Sequence, residues 1–66
     1  MATLGSNLRK YRLERGLTQE DLAAKTGLNS VYISYLESGK RGATTHSLKK
    51  IAKALDVSME ELFKEA

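Results

Sequence analysis

The run from Gln19 to Leu36, QEDLAAKTGLNSVYISYL, leaves little choice of local structure. Leu22 and Ala23 supply the apolar side of one short helix, and Ile33 and Leu36 that of the next. Gly27 stands between them, where a sharp corner needs a positive φ that only glycine adopts without steric cost. Asn29 follows as the expected N-cap of the later helix, its side-chain oxygen able to accept a backbone N–H one turn in. The small Ala23 lets the two helices cross closely.

Two helices joined in this way form the helix-turn-helix pattern, in which the second helix can enter a DNA groove. At about 100° per residue, Tyr32, Ile33 and Leu36 point one way, while Ser30, Val31, Ser34, Tyr35 and Ser38 point the other. The outward set contains no acid. A solvent-facing helix would more commonly carry Glu and Lys at i,i+4 spacing. A face without anions suits a helix that lies between two rows of phosphates.

The rest of the chain reads as short helices around this pair. The first is expected over Leu4–Arg15, after frayed residues 1–3, with Leu4, Leu8 and Tyr11 on one face and Gly16 as its stop. Leu17 enters the core, and Thr18 caps the second helix (about 18–26), with Glu20 and Asp21 favourable in its first turn. The third helix (about 30–38) ends at Gly39, before the basic loop Gly39-Lys40-Arg41-Gly42-Ala43. Thr44 or Thr45 caps the fourth, whose core stripe is Leu48, Ile51, Ala52 and Leu55. Ser58 with Glu61 predicts a capping box for the fifth (about 58–65), with Met59, Leu62 and Phe63 apolar. No strand pattern is visible. The expected fold is all-α, a compact bundle of five short helices forming one domain over residues 1–66.

Charge is unevenly placed. Residues 1–55 have a net charge of +6 and residues 56–66 one of −3, which sums to the overall +3. A basic body suggests a polyanion partner, and the acidic end a different contact. No Cys is present, so disulfides and zinc–thiolate sites are excluded. No apolar run is long enough to span a membrane, and the start lacks the pattern of a signal peptide, so the expected location is the cytoplasm. Ser30, Ser34 and Ser38 have no base beside them, and His46 has no second His or any Cys. Neither catalysis nor metal binding is therefore expected, and no cofactor or small-molecule ligand.

Taken together, the chain resembles the lambdoid phage repressor and Cro helix-turn-helix family, also called the XRE family. The resemblance rests on Arg12, the run Gly16-Leu17-Thr18-Gln19-Glu20, Ala23, Gly27, Ile33, Leu36, the run Glu37-Ser38-Gly39-Lys40-Arg41, and Leu48 to Leu62. It implies a sequence-specific transcriptional regulator that binds a palindromic operator in double-stranded DNA as a homodimer. By the same resemblance, Gln19 matches a phosphate-contacting glutamine, and Ser30, Val31, Ser34 and Tyr35 match groove-facing positions. Arg12 and Glu37 match a partly buried salt bridge, and Lys40 and Arg41 a loop along the phosphate backbone. The Tyr32-Ile33-Ser34 segment also looks like that of restriction–modification controller proteins, with a departure at Ser30, where those often carry a basic residue.

Residue chemistry divides the candidates further. Gln19, Asn29, Ser38, Lys40 and Arg41 suit phosphates, which give affinity; Ser30, Val31, Ser34 and Tyr35 are placed for base edges, which give preference. None of the latter four can make the paired hydrogen bonds by which Arg reads guanine or Asn and Gln read adenine. Direct readout should then be modest, with DNA deformability and water bridges contributing. Met59 and Phe63 either complete the core or join two subunits. A second functional class remains open, a protein-interaction or antitoxin-type module on the same fold, with RNA binding a more distant third.

Overall fold

In the computed structural model, residues 3–64 are described, and they form α1 (Leu4–Glu14), α2 (Gln19–Thr26), α3 (Ser30–Ser38), α4 (Thr45–Leu55) and α5 (Met59–Phe63). Fraying at residues 1 and 2 and helix at residue 65 lie outside the described residues. None of these helices reaches the roughly 12–15 residues at which an isolated helix becomes even marginal in water. Their stability therefore comes from capping and from one shared core.

Capping is systematic. Thr3, Thr18, Asn29, Thr44 and Ser58 each accept a backbone N–H from the first turn of the helix that follows. Thr3 is thus the ordered cap of α1, with a reciprocal box to Ser6, rather than part of a frayed end. Thr18 forms a second box with Asp21, whose carboxylate accepts from the Thr18 N–H at 2.9 Å. This backbone hydrogen bond, with the Thr18 hydroxyl after it, holds the Asp21 carboxyl below its ordinary range. Because the folded-state value is the lower one, this contribution to stability is present above the unfolded value of about 3.9 and is lost as pH falls through the folded value. An NMR titration of Asp21 should show the depressed midpoint, and Asp21→Asn should lessen the acid-induced loss of stability.

The box expected between Ser58 and Glu61 is only half formed. Ser58 Oγ accepts from the Glu61 N–H at 3.1 Å, but the Glu61 carboxylate instead accepts the Tyr11 hydroxyl at 2.7 Å. A charge-assisted O–H···O⁻ bond to another helix outweighs a local bond to a solvent-exposed N–H. It also raises the Tyr11 pKa, since the phenol must give up the proton it donates to Glu61. Among the described residues the fifth helix spans Met59–Phe63, and Lys64 is extended.

Leu8, Leu22, Ile33, Ile51, Leu55 and Leu62 are fully buried, so every helix contributes to one core. Ala23, Leu36, Leu48 and Ala52 complete it. Gly27 takes φ +73° at the α2–α3 corner, and the Leu28 N–H returns to the Ala23 carbonyl. Two contacts fix α1 on its neighbours. Gly5 lies so close to the end of α3 that a Cβ there would stand 2.5 Å from the Leu36 and Glu37 carbonyl oxygens. Buried Asn7 donates its amide protons to the end of α5 and the residue after it, to the Leu62 carbonyl at 2.8 Å and the Lys64 carbonyl at 2.7 Å. Those carbonyls end a helix too short to satisfy them internally.

Candidate nucleic-acid interface

Helix α3 presents two unlike sides. Ile33 and Leu36 are buried under α1 and α2, while Val31 is 54% and Tyr35 38% exposed. Ser30 and Ser34 are half-buried beside them. Val31 is the crest of this side, because it borders a groove on each flank. One groove, toward the start of α2, is lined by Leu13, Leu17, Gln19, Ser30, Val31 and Ser34. The other is lined by Asn29, Val31, Tyr32, Tyr35 and Arg41. A protruding helix edge with a furrow on either side has the relief of a surface that meets a double helix in its major groove.

The cations stand on the second flank. Lys40 Nζ lies 5.9 Å from the Tyr35 ring centroid, and Arg41 Cζ 5.3 Å from that of Tyr32. Both are within cation–π range, and among the described residues neither is paired with a carboxylate. Tyr32 is half-buried and serves both as an edge to the core and as a platform for Arg41. That second role was not read from the sequence. Glu20 is exposed at the border of the first groove, the one acid among the described residues that line it.

The polar candidates are partly engaged within the protein. Asn29 Oδ1 accepts the Val31 N–H at 2.7 Å, which leaves its amide protons for a ligand. Ser38 Oγ donates to the Tyr35 carbonyl at 3.2 Å, so it offers only lone pairs unless it rotates. Gln19 donates one amide proton to Glu37 Oε1 at 3.2 Å. Glu37 in turn receives Arg12 Nε at 2.6 Å on Oε2 and Arg12 Nη2 at 3.0 Å on Oε1. Arg12 Nη1 reaches the Leu17 carbonyl at 2.7 Å. The Arg12 and Glu37 side chains are only 8% and 5% exposed, and the hydrogen bonds to Glu37 raise the Arg12 pKa against the opposing effect of burial. This cluster joins α1, the α1–α2 loop, α2 and α3 directly beneath the first groove.

The remaining candidates lie apart. Met59 is half-buried against the core, and Phe63 is 57% exposed on α5. Leu13 on α1 is as exposed as Val31, an apolar side chain at the rim of the first groove that helical periodicity did not single out. His46 is exposed in the first turn of α4, and among the described residues no group of three His, Cys, Asp or Glu side chains could hold a metal. Nor is any described helix long and apolar enough to cross a membrane.

Comparison with known proteins gives a consistent picture. Residues 8–62 match the sequence model of a family described as helix-turn-helix. An uncharacterized helix-turn-helix-type transcriptional regulator, y4dJ of Sinorhizobium fredii, is 46% identical over 59 residues, 89% of this chain and 77% of that one. The restriction–modification controller protein C.AhdI of Aeromonas hydrophila has a crystal structure that superimposes with a TM-score of 0.88 at 40% identity, covering 91% of each chain. The biofilm regulator SinR, solved in complex with DNA, superimposes with a TM-score of 0.87 at 31% identity, covering 91% of this chain and 97% of that one.

Proposed function

Because the chain belongs to the helix-turn-helix family of transcriptional regulators, we propose that it acts in the cytoplasm as a homodimer on a palindromic operator in double-stranded DNA, with α3 in the major groove. The observation that carries this reading is the Val31 crest with a furrow on each side and two cations, Lys40 and Arg41, unpaired among the described residues, along one of them. Ser30, Val31, Ser34 and Tyr35 meet base edges. Gln19, Asn29, Lys40 and Arg41 meet phosphates, and Ser38 does so once its hydroxyl rotates off the Tyr35 carbonyl. SinR, similar in fold over nearly its whole length, is solved in complex with DNA, which supports the DNA-binding reading.

Binding to a random pool of duplexes, followed by selection and a salt titration of the winners, tests the reading. Lys40→Ala and Arg41→Ala should each weaken binding to all sequences and flatten the slope of log K against log salt by about one unit. The selected sites should be permissive, favouring thymines beside Val31 and deformable steps over a strict code. A rigid preference at several adjacent base pairs, abolished by Ser30→Ala, would contradict the modest readout. Binding that ignores salt would instead favour an interaction module on this fold.

The dimer contact is assigned to α5, where Phe63 exposes more than half its surface beside Met59. One helix-turn-helix reads only a half-site, so a palindromic operator calls for two copies. Equilibrium ultracentrifugation at micromolar protein should show a dimer that Phe63→Ala weakens. A monomer with and without selected DNA would remove this assignment.

A further inference from the structure

The cluster beneath the first groove suggests more than a static ion pair. Glu37 Oε1 is shared between Arg12 Nη2 at 3.0 Å and Gln19 Nε2 at 3.2 Å. From these contacts we infer that Glu37 is a positioning residue for DNA binding, acting through Gln19. The inference rests on the reading of Gln19 as a phosphate contact.

Gln19 carries two N–H donors and one carbonyl oxygen. A carboxylate only accepts, so the amide must turn its nitrogen toward Glu37 and its oxygen away. One N–H is thereby used, and the other is held in a fixed direction on the side of the groove that Gln19 lines with Ser30, Val31 and Ser34. In the opposite rotamer of the amide plane, the oxygen would face Glu37 and be repelled. A free surface glutamine would sample both, and half of its orientations would present an acceptor to a phosphate.

Arg12 makes this arrangement compatible with DNA. An isolated carboxylate one side chain away from a phosphate would repel it, but the bidentate guanidinium compensates the Glu37 charge. The order of contacts is then Arg12 to Glu37, Gln19 to Glu37, and Gln19 to phosphate. The first two are present in the free protein, so the last forms without first ordering the side chain.

A double-mutant cycle on binding to a short mixed-sequence duplex at low salt tests this, with Gln19→Ala and Glu37→Leu. Gln19→Ala alone should reduce affinity about fivefold, the scale of one hydrogen bond. In the Glu37→Leu background, where no acceptor remains to hold the amide nitrogen-inward, the same change should cost less than about twofold. Fold-changes that simply multiply, or no effect of Gln19→Ala, would overturn the inference while leaving DNA binding intact. Absence of salt-dependent binding by the unaltered chain would remove the DNA reading and the inference with it.

If Glu37→Leu fails to fold, the side-chain amide signals of Gln19 in the unaltered chain decide the matter. Two resolved protons, one near Glu37 and insensitive to DNA and the other shifted by it, support the inference. Two protons that shift together, or that DNA does not move, overturn it.

Discussion

Arg12→Ala should leave the chain largely unfolded at 25 °C. The substitution strands the Glu37 carboxylate, 5% exposed, with only the Gln19 amide as partner, and it orphans the Leu17 carbonyl. Removing one member of a buried ion pair costs about 3–5 kcal/mol, and a core of this size rarely supplies more than about 3–5 kcal/mol in all. Glu37→Ala should behave alike, because it leaves a guanidinium that cannot neutralise itself by losing a proton. The paired change Arg12→Met with Glu37→Leu should be less damaging than either single change, since no charge is then buried alone. Thermal and urea unfolding followed by circular dichroism measure all three. A cooperative Arg12→Ala variant within about 1 kcal/mol of the parent would show that water reaches Glu37 and that the pair is peripheral.

Gly5→Ala should destabilise the fold even though it replaces glycine by the best helix former. Inside an exposed helix that exchange stabilises by about 1 kcal/mol. Here the new methyl would stand 2.5 Å from two main-chain oxygens, those of Leu36 and Glu37. Backbone atoms cannot rotate aside as a side chain can, so α1 and α3 must separate. Overpacking of this kind costs about 1–3 kcal/mol, and the separation would also strain the Arg12–Glu37 contact that bridges the same helices. Gly42 provides the control. A Cβ there meets nothing within 4 Å, and its φ is not in the left-handed region. Gly42→Ala should leave the unfolding curve nearly unchanged, and equal effects at the two glycines would refute the close-approach account.

Much of the architecture was readable because its determinants are local. Helical periodicity placed Leu8, Leu22, Ile33, Ile51 and Leu55 inward, and all are fully buried. Gly27 and Asn29 marked the corner and the cap where they stand. The roles of Gly5 and Asn7 were not readable. Gly5 sits within a helical pattern, and only the position of the α3 carbonyls shows why a side chain cannot be there. Asn7 looks like a solvent-facing polar residue until the end of α5 is placed over it. Glu61 has the spacing of a capping-box acid, yet Tyr11 takes its carboxylate, because the competing partner is 50 residues away in the chain.

The same division holds for the candidate interface. Sequence by itself determined the helices, their order, the composition of the outward side of α3 and the basic loop after it, since periodicity, capping and turn chemistry act over a few residues. Tertiary structure alone decided that Val31 stands between two grooves, that Arg41 rests on Tyr32, and that Glu37, already expected to pair with Arg12, also holds Gln19. Those are relations between helices. They depend on interaxial distance and on which buried polar group reaches a given partner first, and neither quantity is encoded in the spacing of residues along one helix.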